Sequence, residues 1–300
     1  MEKKKLSEYR ALARMTMKGH YGTMLLASVL VLLIQSAVSQ IFSRLLNATD
    51  SIVMMGAYGL LELLVSLIIL GPLMIGLNGF FLRCISGEYD LKNVFLPFKT
   101  NLTNTAKVYF FMQLKLFLWL LIPWLIGMTV VISAVLLLDS GAIEAWLLEF
   151  AQSLSDITLG HVDFLSPDAL EGFLLIYFSL LGVSIIFMIP GIIKSYEYAM
   201  IPYIVAEDAD VGVKEAFKRT KLMMKGNKFR YFALNLSFIG WLLLGMLLLG
   251  FGMLLVIPYI YAATAHFYID VKSRVDGKDS FTDEAGGSYS DIDKGDSFGV

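Results

Sequence analysis

Acidic residues that could hold a cation or act as catalytic acids cluster at one point of the chain, in the stretch Glu207-Asp208-Ala209-Asp210. Carboxylate oxygens at this density are typical ligands of a divalent cation. They are equally typical of a polar loop that precedes a helix, and we favour this second interpretation. The three histidines lie far apart, and the single cysteine excludes a cysteine-cluster metal site. No zinc-hydrolase, serine-hydrolase or nucleotide-binding motif occurs, so the sequence predicts no catalytic residue, metal or cofactor.

Four polar residues lie within or at the ends of long apolar stretches: Glu62, Asn78, Asn235 and His266. Such side chains in a membrane-spanning segment are often functional, because they are costly to bury in lipid. If the four faced one another, they would form the polar path that a transporter needs. The alternative, which we favour for each residue, is a structural hydrogen bond within or between helices.

The apolar pattern breaks at Pro190-Gly191, in the stretch "IPGIIKSYEYAMIPY" (189–203). Proline removes a backbone donor, so a helix is predicted to kink or end there. Lys194 and Glu197 are three residues apart and could pair on one helical face. The stretch therefore predicts a helix that bends out of a membrane, rather than a working site inside one.

The elements that must position these residues are membrane-spanning helices. The 300 residues are 57% hydrophobic and 17% charged, whereas soluble domains carry roughly 25% charged residues. Since a span needs about 20 apolar residues, we predict spans at 23–43, 57–82, 109–138, 171–191, 231–249 and 253–269. Glycines between 245 and 252 offer a turn inside the last apolar run. The predicted fold is an all-α polytopic transmembrane bundle of about six spans, arranged as three hairpins.

Basic residues indicate the orientation of this bundle. All of the 24 basic residues except Arg44 and Lys115 lie in segments 1–22, 83–107, 194–230 or in the tail 271–300. The segment 139–171 is acidic and contains no lysine or arginine. Because basic segments stay in the cytoplasm, both termini are predicted to be cytoplasmic and 139–171 to be extracytoplasmic. The polar tail 271–300 is predicted to be disordered.

Two of the basic segments have apolar residues at helical spacings of three and four. The stripes are Leu6, Tyr9, Ala13 and Met17 in segment 1–22, and Val213, Ala216, Phe217, Thr220 and Met224 in segment 194–230. A basic amphipathic helix beside a span usually lies in the membrane interface; packing of the stripe on the protein is the alternative. Both stripes lead into similar sequences, "ARMTMKGHYG" (13–22) and "KLMMKGNKFR" (221–230), which form a weak internal repeat.

The second basic segment is the predicted functional surface. Its candidate contacts with anionic lipid headgroups are Lys214, Lys218, Arg219, Lys221, Lys225 and Lys228. Each basic residue close to an anionic membrane contributes about 1 kcal/mol of attraction, although the neighbouring acidic residues offset part of it. The net charge of -2 does not favour nucleic-acid binding.

The stretch from 189 to 245 resembles the core of a bacterial family called domain of unknown function 975. The most specific parts are 190–194, 225–228 and 237–241, and the N-terminal "ARMTMKGHYG" and the late "IPYIYAATAHFY" are also similar. The middle portion is distantly similar to the membrane domain attached to some glycerophosphodiester phosphodiesterases, whose catalytic domain is absent here. The resemblance implies a multi-pass protein of the bacterial plasma membrane, and it implies no activity.

We therefore expect a non-enzymatic membrane protein that organises lipid or protein partners or senses the state of the envelope. A small transporter or lipid-handling permease is the alternative, and a membrane enzyme comes third. The expected partners are the lipid bilayer, including anionic phospholipids, and a membrane protein.

Overall fold

A computed structural model describes residues 4–137, 188–247 and 251–284, together with Leu148, Phe178 and Gly182. Helices and short turns make up these residues, and no strand occurs among them. In chain order the helices are α1 (Leu6–Met17), α2 (Tyr21–Asn47), α3 (Ile52–Val65), α4 (Gly71–Ile85), α5 (Leu96–Lys99), α6 (Leu102–Leu137), α7 (188–198), α8 (Ile201–Glu207), α9 (Val213–Met224), α10 (Lys228–Leu236), α11 (Ile239–Leu247) and α12 (Phe251–Glu284). A π-helical turn, Ser66–Leu70, joins α3 to α4, and a 3-10 turn, Leu91–Phe95, precedes α5.

Five helical stretches of the described chain are long and apolar enough to cross a membrane. They are Tyr21–Asn47, Ile52–Ile85, Leu102–Thr129, Lys228–Leu247 and Gly252–Gly277. Each overlaps one of the predicted spans, so the prediction of an all-α polytopic membrane protein is confirmed. Most of the remaining predicted span, 171–191, and of the acidic segment 139–171 lies outside the described residues.

The last apolar run is divided as predicted, because α11 (Ile239–Leu247) and α12 (Phe251–Glu284) pack against each other. A Cβ atom on Gly245 would lie 2.7 Å from the backbone nitrogen of Met253, and one on Gly252 would lie 2.6 Å from the Cα atom of Gly245. These distances are too short for any side chain. The two glycines therefore allow the backbones of α11 and α12 to touch beside their connection.

The helix around Pro190 does not end at this proline, although the sequence predicted a kink or an end there. Residues 188–198 are helical, and the helix ends at 199–200, just before the proline in the first turn of α8. A proline removes only its own backbone donor, so the residues after it can continue the helix. Gly191 makes room for α6, because a Cβ atom there would lie 2.3 Å from Cδ2 of Leu120.

The tail is helical for longer than predicted. Residues 271–284 continue α12, so the prediction of disorder from 271 onward is wrong for this part, while 285–300 lie outside the described residues. Two features stabilise the first turn of this continuation: Val271 is buried, and Arg274 forms an ion pair with Asp270 one helical turn earlier.

The chain forms two compact units, residues 1–113 with 196–300, and residues 114–195. The core of the first unit contains the largest fully buried side chains, among them Tyr9 of α1, Phe80 of α4, Tyr203 of α8 and Tyr268 of α12. By contrast, none of the residues of α3 is buried. A large exposed apolar surface of this kind is typical of a helix that faces lipid. The core of the first unit thus lies where the short helices α1 and α8 pack on α4 and α12.

Candidate functional site

Helix α9 carries four of the six candidate lipid-contact residues, and its apolar side is packed on protein. Ala216, Phe217 and Thr220 are buried, and the helix contacts α8 and α12. The ring of Phe217 meets that of Tyr198 edge-on at 5.0 Å, and the hydroxyl of Thr220 donates to the carbonyl oxygen of Glu197 at 2.8 Å. Of the two interpretations of the stripe, packing on the protein is therefore the correct one.

The six candidate lipid contacts differ in their surroundings. Lys214, Lys218, Lys221 and Lys225 are exposed. Arg219 donates through Nε to Glu215 at 2.9 Å and lies 3.6 Å from a carboxylate oxygen of Asp208. Lys228 donates to the buried carboxylate of Glu197. Acidic residues of α9 and of the segment before it therefore pair with Arg219 and Lys228.

Helices α1 and α9 are each followed by a turn of the same conformation, which gives the weak internal repeat a structural basis. Each helix has 12 residues. The residue after each helix is a lysine in extended conformation, Lys18 with φ -62° and ψ 121° and Lys225 with φ -62° and ψ 114°. A glycine follows in each turn, Gly19 with φ 83° and Gly226 with φ 73°. Only glycine adopts these left-handed angles without a steric cost, so each turn depends on its glycine.

Five side chains from α1, α10, α12 and the turn after α9 form a closed ring of hydrogen bonds, which we call the polar ring. Its members are Tyr9, Arg230, Asn227, Arg274 and Asp270. Tyr9 donates to Oδ2 of Asp270 at 2.5 Å and accepts from Arg230 at 2.9 Å. The oxygen of Asn227 accepts from Arg230 at 3.1 Å and from Arg274 at 3.4 Å. Arg274 closes the ring by donating to Oδ2 of Asp270 at 2.6 Å.

The polar ring is largely buried, and it combines two guanidinium groups with one carboxylate. Tyr9 is fully buried and Asp270 is 7% exposed. The guanidinium of Arg230 lies 5.9 Å from the centres of the rings of Tyr9 and Phe267, which is a cation–π distance. Burial raises the pKa of Tyr9 well above its ordinary value, and its hydrogen bond to Asp270 raises it further. The phenol therefore stays a neutral donor to the carboxylate, and the ring fixes α1 on α12.

The acidic stretch that begins at Glu207 has protein partners. The carboxylate of Glu207 accepts from the hydroxyl of Tyr268 at 2.7 Å and from the amine of Lys272 at 2.5 Å. Asp210 accepts from the side-chain amide of Asn101 at 2.6 Å. Within the described part of the chain, no group of three or more histidine, cysteine, aspartate or glutamate residues is placed to hold a metal ion. These carboxylates connect α8 to α12 and hold the loop before α9.

Three of the four residues of the candidate polar path form hydrogen bonds, each with a partner outside the path. Asn78 and Asn235 each donate to the carbonyl oxygen four residues earlier in their own helix, at 2.7 and 3.0 Å. The Nε2 atom of His266 lies 2.8 Å from the hydroxyl of Thr16 in α1. Glu62 is half-buried on α3. None of these three hydrogen bonds joins two members of the candidate path.

The polar ring was not identified as a site from the sequence. Two local signals pointed to its parts: Tyr9 belongs to the apolar stripe of α1, and Asp270 and Arg274 have the spacing of an ion pair on one helical face. Asn227 lies within one of the sequence stretches most specific to the family resemblance. Nothing local indicated that these parts would meet, because Tyr9 and Asp270 are 261 residues apart.

The fold and the site define a polytopic all-α membrane protein whose short basic helices α1 and α9 both pack on α12. A family model described as "Protein of unknown function (DUF975)" matches residues 1–275, and the chain belongs to this family. The match includes α9 and every member of the polar ring. No curated protein and no solved structure matches the chain significantly. The family resemblance predicted from the sequence is therefore confirmed.

Proposed function

We propose that this protein is a non-enzymatic, multi-pass protein of the bacterial plasma membrane that organises anionic phospholipids at the cytoplasmic surface. The observation that carries the proposal is the arrangement of α9. Its apolar side is buried against α8 and α12, while Lys214, Lys218, Lys221 and Lys225 are exposed. A helix held in this way cannot rotate about its axis, so its exposed lysines form an array on one fixed side of the helix.

The position of α9 in the chain supports a membrane role for this array. Only the turn 225–227 separates the helix from α10, with which a candidate spanning stretch begins at Lys228. A helix of 12 residues is about 18 Å long, and charge interactions reach about 8–10 Å in physiological salt. Lysines near the end of α9 therefore lie within reach of headgroups around α10. Glu215 and Asp208 beside these lysines pair with Arg219.

Lipid enrichment would test the array. The full chain is reconstituted in bilayers of phosphatidylcholine with a minor fraction of phosphatidylglycerol, extracted in polymer-bounded discs, and the co-extracted lipid is quantified. Wild type should enrich phosphatidylglycerol, and changing Lys214, Lys218 and Lys221 together to Gln should reduce the enrichment, because each lysine contributes about 1 kcal/mol or less. The matched control changes the same three lysines to Arg, which keeps the charge. Equal enrichment in all three proteins would contradict the proposal.

The proposed orientation places both termini in the cytoplasm, with the acidic segment 139–171 outside. Topology reporters fused after Gly160 and after Lys278 test it directly. The expected result is an outside signal at Gly160 and an inside signal at Lys278. An outside signal at Lys278 would mean an odd number of spans, and the side of the membrane on which α9 lies would then need its own reporter fusion.

Transport, the alternative suggested by the sequence, receives less support from the site. A transport path would need amide and carboxylate groups that are free to contact a substrate. Asn78 and Asn235 instead bond to their own helices, which leaves a structural role as their simplest explanation. Their contacts therefore favour a structural role over a place in a transport path.

A further inference from the structure

An apolar groove lies between the corner of α1 and α2 and the hairpin of α11 and α12, away from the lysine array of α9. Its volume is about 770 Å³, within the roughly 300–1,000 Å³ typical of small-molecule sites. The apolar part is lined by Met17, Tyr21, Trp241, Leu244, Leu255 and Val256. The α1–α2 corner also contributes Arg14 to the lining.

The Arg14 side of the groove is positively charged. A second recess of about 490 Å³ shares Arg14, Met17 and Tyr21 with the groove and adds Lys18. Arg14 and Lys18 are exposed, and Arg14 donates to the hydroxyl of Tyr259 at 3.3 Å. No carboxylate is among the described residues that line either recess. An elongated apolar space thus adjoins a recess that carries two cations.

We propose that the groove binds one acyl chain of an anionic phospholipid, whose phosphate lies between Arg14 and Lys18 in the adjoining recess. A guanidinium suits this role because it can bind phosphate with two parallel hydrogen bonds. The hydroxyl of Tyr21 donates to the carbonyl oxygen of Leu255 at 2.8 Å, and that of Tyr259 donates to the carbonyl oxygen of Arg10 at 3.3 Å. These polar groups have protein partners, so the groove suits a hydrocarbon chain.

This site deepens the proposed function, on which it rests for the presence of anionic lipid at this side of the membrane. It is nevertheless carried by different residues, because none of its lining belongs to α9. The two claims can therefore fail separately.

Native mass spectrometry of the full chain in detergent tests the groove by titration with dioleoylphosphatidylglycerol or dioleoylphosphatidylcholine. The first phosphatidylglycerol should bind at least about fivefold more tightly than phosphatidylcholine, and Arg14→Gln should remove about that factor, as expected for one basic residue near a headgroup. Lys5→Gln, which removes the same charge from an exposed position at the other end of α1, is the control and should bind as wild type does.

A second pair of variants tests the acyl chain. Leu244, 56% exposed, lines the groove, whereas its neighbour Leu243, 57% exposed, does not. Leu244→Trp should fill the groove and weaken the first binding event for both lipids, while Leu243→Trp should leave it unchanged. Thermal unfolding followed by circular dichroism verifies that all variants fold alike.

Equal affinities for the two lipids would overturn the groove site, as would equal effects of Leu244→Trp and Leu243→Trp. Lipid-free dimers that Leu244→Trp dissociates and Leu243→Trp does not would overturn it too, because a second copy would then occupy the groove. If phosphatidylglycerol binding is lost only in the Gln variant of Lys214, Lys218 and Lys221, the lysine array is supported and the groove site is refuted. If phosphatidylglycerol binding is lost only in Arg14→Gln and Leu244→Trp, the groove site is supported and the role of α9 is refuted.

Discussion

The polar ring should make Asp270 one of the most sensitive positions in the protein. Asp270 is 7% exposed and accepts hydrogen bonds from Tyr9 at 2.5 Å and Arg274 at 2.6 Å. Changing it to Ala leaves the side chain of Arg274, 11% exposed, without its carboxylate. Removing one partner of a buried ion pair costs about 3–5 kcal/mol, so we expect a loss of this size in the free energy of unfolding.

Tyr9→Phe should cost less, about 1.5–3 kcal/mol, because it removes a hydroxyl that bonds to two charged groups. The matched control is Tyr259→Phe. Tyr259 lies on the same seam between α1 and α12, but its hydroxyl makes two longer bonds, both of 3.3 Å. We expect this control to cost no more than about 1 kcal/mol. The double variant of Tyr9 and Asp270 should lose less than the sum of the single changes, because the two residues share one bond.

The measurement is the unfolding of the purified chain in mixed micelles with increasing denaturing detergent, followed by circular dichroism. Amide exchange in α1 gives a local readout, and it should rise in both ring variants. Two results would refute the reasoning. Either Asp270→Ala costs no more than Tyr259→Phe, or the losses of Tyr9→Phe and Asp270→Ala are simply additive.

Three further predictions use the same unfolding measurement. Gly19→Ala and Gly226→Ala should each cost about 1–2 kcal/mol, because a side chain is strained at left-handed angles. The control Gly22→Ala, whose new Cβ atom meets no atom within 4 Å, should be neutral. Equal effects of the three changes would contradict the role of the turn. Gly76→Ala should cost about 1–3 kcal/mol or more, because the new Cβ atom would lie 1.8 Å from a backbone carbonyl oxygen in the turn before α5; a neutral result would refute that close contact. Burial and then the bond to Asp270 raise the pKa of Tyr9, so the folded state keeps this proton to higher pH than the unfolded chain does. Stability should therefore fall above about pH 10, and Tyr9→Phe should remove part of that fall. An unchanged pH profile in the variant would contradict this prediction.

The spans were predictable because their signal is local. The run predicted at 23–43 corresponds to Tyr21–Asn47, and the one at 57–82 to Ile52–Ile85. Length and apolar content within one segment suffice for such a prediction. The division of the last run was also predictable, since one helix over 231–269 would be about twice as long as a membrane is thick.

The environment of the basic helices was harder to predict. The stripe that contains Phe217 is compatible with lipid or with protein, because both are apolar solvents for a side chain. Only the tertiary contacts of α9 with α8 and α12 distinguish the two. Similarly, the residues 190–191 indicated a break, but proline and glycine occur in helices as well as at their ends, and here Gly191 makes room for Leu120.

The polar ring has a consequence for the biosynthesis of the protein. Tyr9 is synthesised 261 residues before Asp270, which at about 5–20 residues per second is an interval of roughly 13–52 s. During this interval the basic face of α1 can hold the N-terminal side of the first span in place, while its apolar stripe still lacks its final partner. The ring closes only after the last spanning helix has been made. Before the ring closes, during membrane insertion, the basic residues of α1 determine its position. After the ring closes, packing and hydrogen bonds fix α1 and α12 on each other.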